Sequence, residues 1–144
     1  MTLVRRSLLQ GAALLTVPVL RSAAAESVPA PKEAQLYIIW PKDGQRIRGA
    51  FPCRFGLRNM GVAPAGIASP NAGHHHLLID VKEPISPDLP IPSDKKHMHF
   101  GSGQTETQLE LPPGTHTLQL VLGDANHMPF EPVVASRKIR IFVV

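Results

Sequence analysis

The sequence predicts an all-β domain, an immunoglobulin-like or cupredoxin-like antiparallel sandwich of seven to eight strands. Three observations carry that expectation. Short apolar and β-branched runs are separated by Pro and Gly turns about every ten residues. Several of these runs alternate apolar and polar side chains with period two, and no helical period of useful length occurs. Finally, 15 prolines in 144 residues break helices while suiting turns and strand edges.

The elements follow in order. Leu36–Trp40 reads as a strand closed by Pro41-Lys42-Asp43-Gly44. Residues 51–57 alternate, which puts Phe51, Cys53, Phe55 and Leu57 on one face. Leu77–Val81 is almost continuously apolar, the mark of a strand covered on both faces. Thr105–Leu111 sets Leu109 and Leu111 against Glu106, Gln108 and Glu110. Pro112-Pro113-Gly114 then turns the chain into Thr117–Leu122, where Leu118, Leu120 and Leu122 share a face. Ser136–Val143 supplies the last strand, with Ile139, Ile141 and Val143 inward. Three loops exceed what turns require: Arg58–Gly73, the proline-stiffened Glu83–Lys96, and Asp124–Ala135.

The length fits one domain over residues 36–144, preceded by a linker over 26–35. Residues 1–25 read as a bacterial export signal of twin-arginine type. Arg5-Arg6 precedes a weakly hydrophobic stretch from Leu8 to Leu20, and Ala23-Ala24-Ala25 offers a cleavage site. The stretch is too short and too interrupted to span a bilayer. The mature chain is therefore expected in the periplasm or outside the cell, with no membrane span. The net charge of +4 comes largely from Arg5, Arg6 and Arg21, so the remainder is nearly neutral. With 5% aromatics, it lacks both the basic footprint and the stacking platforms of a nucleic-acid binder. Cys53 is the single cysteine and has no intrachain partner even in an oxidising compartment; its period-two neighbours mark it as a buried thiol.

Histidine is where the chemistry concentrates. The chain holds 7 of them, and the groups His74-His75-His76 and His97-Met98-His99 flank the proline-rich loop, while His127-Met128 opens a later one. Neutral imidazole is the commonest metal ligand, and thioether sulfur suits Cu(I). In an extended chain residues i and i+2 share a face about 6.6 Å apart, so His74 with His76 and His97 with His99 form two pairs that can meet one ion. His127 adds a further nitrogen and Met128 a soft donor. A histidine run before an apolar strand can equally be a solvated loop end. His75 shares the parity of Leu77 and Ile79 and suits a core-edge role satisfied by backbone. His116 shares the parity of Leu118, Leu120 and Leu122, which favours a structural cap, and Asp80 and Asp124 suit strand-end or turn acceptors. No phosphate loop, paired-cysteine motif or nucleophile elbow occurs, and Gly101-Ser102-Gly103 reads as a turn. No catalytic residue is nominated.

Four linked segments carry a family resemblance: Gly73-His74-His75-His76-Leu77-Leu78-Ile79-Asp80, His97-Met98-His99-Phe100-Gly101-Ser102-Gly103-Gln104-Thr105-Glu106, Leu111-Pro112-Pro113-Gly114-Thr115-His116-Thr117-Leu118 and Leu122-Gly123-Asp124-Ala125-Asn126-His127. With these the chain resembles the bacterial exported domain of unknown function 4399 over nearly all of residues 36–143. The resemblance implies a small extracytoplasmic domain and no established activity. It also implies a histidine after the proline of the last loop, where this chain has Phe130 after Pro129.

The leading expectation is a periplasmic copper carrier, buffer or chaperone, with His74, His76, His97, His99, His127 and Met128 as metal ligands and zinc as the alternative ion. Its expected partners are the ion and a periplasmic protein. A metal-free binding module is the competing reading. A third, less favoured, is a redox metalloenzyme, since His-x-His before Phe-Gly is similar to the copper strand of copper–zinc superoxide dismutases. Enzymatic turnover is not the favoured role.

Overall fold

Alternation of apolar side chains sets the architecture. The computed structural model describes residues 27–144; the export signal expected over residues 1–25 lies outside them. Among the described residues every regular element is a strand: β1 (Gln35–Trp40), β2 (Arg46–Ile47), β3 (Phe51–Arg58), β4 (Gly61–Val62), β5 (Ala72–Ile79), β6 (His97–His99), β7 (Glu106–Leu109), β8 (Gly114–Gly123) and β9 (Ile139–Val143). A three-stranded sheet, β1-β3-β7, faces a six-stranded one of order β2-β9-β8-β5-β4, with β6 also paired to β5. The expected all-β sandwich is present.

The long ladders are antiparallel, as expected: β1 on β3, β3 on β7, β5 on β6 and β8, and β8 on β9. Two short pairs, β2 on β9 and β4 on β5, are instead parallel. With β6 they raise the strand number to nine. Two-residue strands formed by passing loops carry no readable period, which is why alternation alone does not announce them.

The main core fills the space between the sheets. Phe51, Cys53 and Phe55 of β3 meet Leu77 and Ile79 of β5, Leu118, Leu120 and Leu122 of β8, and Ile139, Ile141 and Val143 of β9. Each set follows period two, so one parity of every strand removes its side chains from water. Burial pushes the Cys53 thiol up to about 12, so it behaves as an inert apolar group.

β5 is buried on both faces. Its even-numbered side chains lie on the outer face, where Leu78 joins Val81, Ile91 and Val121 in a second small core. The proline-rich loop and the segment after β8 cover this face. That segment runs back along β8, with Leu122 N–H donating to Val134 O and Ser136 N–H to Leu120 O. The residues expected to be a linker carry contacts of their own: Ala30 N–H donates to Glu131 O. No helix among the described residues is long and apolar enough to cross a membrane.

Candidate metal centre

On the outer face of β5, one turn of the ladder beyond Leu78, lie His76 and then His74. Both are fully buried. The register places His76 opposite His99 of β6 and His74 opposite Gly123 at the end of β8. Immediately after Gly123 the chain makes a tight turn over Asp124–Met128, closed by Asp124 N–H to Met128 O at 2.9 Å and His127 N–H to Asp124 O at 3.0 Å. His127 takes a left-handed backbone, φ 65°, a conformation that His tolerates better than most residues. The turn brings its ring back over the two β5 histidines.

Four imidazoles therefore meet. Ring centroids of His74 lie 4.8 Å from His76, 4.9 Å from His99 and 5.0 Å from His127. His76 is 5.1 Å from His99 and 5.9 Å from His127, and His99 is 4.8 Å from His127. Their Nε2 atoms converge in two pairs, His74 with His76 at 3.0 Å and His99 with His127 at 3.1 Å. One ligand nitrogen each from His74, His99 and His127 falls within 4.8 Å of the other two. A tetrahedral ion bound at 2.0–2.1 Å sets its nitrogens about 3.3–3.4 Å apart, and the two pairs already lie near that spacing. His76 falls outside the 4.8 Å group and has to shift toward the rim to complete a four-nitrogen set.

Two glycines make room for the rings. A Cβ on Gly123 would lie 2.9 Å from His76 Nε2, and one on Gly101 would lie 2.8 Å from His99 Nε2. The cluster is tiered. His74 and His76 form a floor on a strand paired at both edges, whereas His99 and His127 form a half-buried rim. Backbone bonds from a third loop hold the rim segments: Ala65 N–H to Gly101 O at 2.8 Å and Gly66 N–H to Ala125 O at 2.9 Å.

Burial and neighbouring rings favour the neutral form of His74, His76 and His99. Burial, then the neighbouring His127 and His99, pushes His74 down to about 4 against a small opposing pull from Asp124. Burial and the three neighbours push His76 down to about 3, and burial with His127 lowers His99. Neutral imidazole is the form that accepts a metal. In the floor pair, Nδ1 of both His74 and His76 has no hydrogen-bond partner. Leaving such buried nitrogens unmatched costs the folded protein about 1–3 kcal/mol each.

The remaining nominated residues lie elsewhere. His97 is on the same sheet face as His99 but opposite Leu78, one pleat repeat beyond the cluster. Its Nδ1 bonds to Asp94 Oδ1 at 2.9 Å instead. Parity chose the right face for His97; only the register shows that the row is wrong. Met128 is buried at 3% exposure, and its backbone N–H and O both bond to Asp124. Phe130 lies in the main core against Gly73. The histidine expected there is therefore no loss to the four-ring set.

Two other histidines serve structure. His75 points into the main core, 5.1 Å from the Phe55 ring. Backbone satisfaction was expected for it, yet neither ring nitrogen completes a hydrogen bond. Burial pushes it down to about 4, with the Gln104 backbone pulling weakly the other way. His116 is a cap, as its parity suggested: Nδ1 bonds Asp80 Oδ2 at 2.7 Å and Nε2 bonds Pro112 O at 2.8 Å. Sequence reasoning passed over Gly101 and Gly123 as members of the site. The available signal was a glycine ending a strand rich in leucine, which marks close approach by a neighbour.

The family model described as Domain of unknown function (DUF4399) matches residues 53–144. No curated protein matches the chain. Among solved structures, the endo-beta-1,4-mannanase from Thermotoga petrophila is similar at 18% identity and a TM-score of 0.44, over 78% of this chain and 20% of that one. The Clostridium thermocellum CbhA fibronectin(III)-like modules are similar at 10% identity and a TM-score of 0.42, over 76% of this chain and 45% of that one. This chain thus spans a minor part of each, and neither similarity bears on the site.

Proposed function

This chain belongs to the DUF4399 family, and we propose that it is an extracytoplasmic metal-binding protein, a copper carrier or buffer that works without turnover. The ligands are His74, His76, His99 and His127. The observation that carries this reading is the gathering of four imidazoles, with Nε2 pairs at 3.0 and 3.1 Å and one nitrogen each of His74, His99 and His127 within 4.8 Å of one another, where Gly101 and Gly123 leave space for the rings. An all-nitrogen set of borderline ligands holds Cu(II) more tightly than the other divalent first-row ions, and zinc is the alternative because it accepts four imidazoles in tetrahedral geometry. Four protein nitrogens close a tetrahedral zinc site and occupy the strong positions of Cu(II), which supports storage or carriage over catalysis. His97 and Met128 have no part in this set. Export, which the sequence of residues 1–25 supports, would place the protein where it meets copper outside the cytoplasm.

The test is metal analysis of protein exported by its own leader. About one equivalent of copper is expected. No bound metal, together with a melting temperature unmoved by added copper or zinc, would reject the reading, because a ligand specific to the folded state must raise its stability.

One observation favours a metal-free binding module instead. Each Nε2 pair is short enough to be an N–H···N hydrogen bond, so the four rings can satisfy one another at those atoms. The same melting experiment separates the two readings.

A further inference from the structure

The four ligands are not held alike. His74 and His76 belong to the interior of β5, where pairing to β8 holds both backbones and pairing to β6 adds a second ladder at His76. His127 instead sits at a left-handed position in a five-residue turn. Inside that turn a carboxylate replaces sheet pairing. Asp124, at 5% exposure, uses one oxygen, Oδ1, to accept Asn126 N–H at 2.8 Å and Met128 N–H at 2.9 Å, the two amides flanking His127. His127 itself makes two backbone bonds: its N–H donates to Asp124 O at 3.0 Å within the turn, and its O accepts Ile91 N–H from the proline-rich loop at 2.8 Å.

We infer that metal enters and leaves through the His99–His127 rim, that His127 is the ligand displaced first, and that Asp124 is the positioning residue setting how readily it is displaced. The inference rests on the metal-binding reading above and deepens it. A closed four-nitrogen site releases its ion only when one ligand swings away. The floor rings cannot swing, because they are enclosed and their backbone is locked in the ladder. The His127 ring is half-buried and depends on a turn whose shape the Asp124 carboxylate maintains. Removing that acceptor leaves two amides without their partner and frees His127 from the geometry that aims it at the floor pair. An outer-shell residue of this kind typically changes metal affinity by about 10–100-fold.

The experiment loads the full-length protein with one equivalent of copper(II) and follows its loss to excess EDTA. Asp124→Ala is expected to release copper at least about ten-fold faster than the parent, approaching the rate of His127→Ala. Asp124→Asn keeps a side-chain oxygen for both amides and is expected to stay within about three-fold of the parent. Should Asp124→Ala fail to fold, Asp124→Ser retains a single short acceptor, and its release is expected between those of Asn and the His127 variant. Parental release rates in Asp124→Ala or Asp124→Ser, even with a lowered melting temperature, would overturn the inference by making Asp124 merely structural. Equally fast release from Asp124→Asn and Asp124→Ala would overturn it too, by making charge the cause. If the parent takes up no copper at all, the metal reading fails first and takes this one with it.

Discussion

The same pair of strands, β5 and β8, carries histidines at both ends, and the two ends do opposite things. At one end His74 and His76 face His99 and His127, and the rings have little but each other. At the other, His116 stands between the Asp80 carboxylate and the Pro112 carbonyl, 2.7 and 2.8 Å away. Both of those partners only accept, so a ring that serves both must donate from both nitrogens, which is the imidazolium form. Burial opposes that charge, but the hydrogen bonds and the charge of Asp80 outweigh it and raise His116 above its usual range. Burial likewise opposes the charge of Asp80, whose bonds to His116 and Thr117 N–H hold it below the usual carboxylate range. One end is a completed ion pair that ties the strand ends together. The other is a set of imidazoles that face one another. Partner chemistry, not residue type, decides which histidine can bind a metal.

That contrast can be broken by mutation. The largest effect is expected from His74→Ala with His76→Ala, which removes the floor: copper binding measured by calorimetry should weaken by more than the 10–100-fold typical of an outer-shell change. Next comes Gly123→Ala, whose methyl would press on His76 Nε2 at 2.9 Å. It should lower affinity without deleting a ligand, and the same change at Gly101 should act on His99. His116→Ala should do the reverse, leaving copper affinity unchanged while losing roughly 1.5–3 kcal/mol of stability in a denaturant titration, the range for hydrogen bonds to charged groups.

The two ends should also answer pH with opposite signs. The folded values of His74, His75 and His76 lie near 4, 4 and 3, below the ordinary 6.5. As pH falls below about 6.5 the unfolded chain takes up protons that the folded one refuses, so metal-free stability is lost on the way to pH 4. For one ring held near 4 the loss is on the order of 3 kcal/mol. His116 is raised, so its contribution is complete below about 6.5 and fades as pH rises through its folded value. Asp80 is lowered, so its share persists above about 3.9 and goes as pH falls. Melting curves of the metal-free protein between pH 4 and 8 should therefore drop on the acid side. His116→Ala should flatten the alkaline side.

Much of this was legible in the sequence because period two survives in the long strands. Leu118, Leu120 and Leu122, or Phe51, Cys53 and Phe55, declare their inward face without any structure. The same rule paired His74 with His76 and assigned His116 to the core. It failed where face is not enough. His97 shares a face with His99 yet sits one row away, because β6 is antiparallel to β5 and its register runs from His99 at His76 to His97 at Leu78. The ring room beside Gly101 and the turn held by Asp124 are three-dimensional facts that no spacing encodes. β2 and β4, two residues each, are too short to show a period.

The most direct test of a four-imidazole centre is the electron paramagnetic resonance spectrum of the protein loaded with one equivalent of Cu(II). Nitrogen hyperfine structure from four imidazoles is expected, and the four-nitrogen pattern should be lost in the His74→Ala, His76→Ala protein while persisting in His97→Ala. A spectrum with only one or two nitrogens, or one unchanged by loss of the floor pair, would contradict the assignment of these four rings as the metal's ligands.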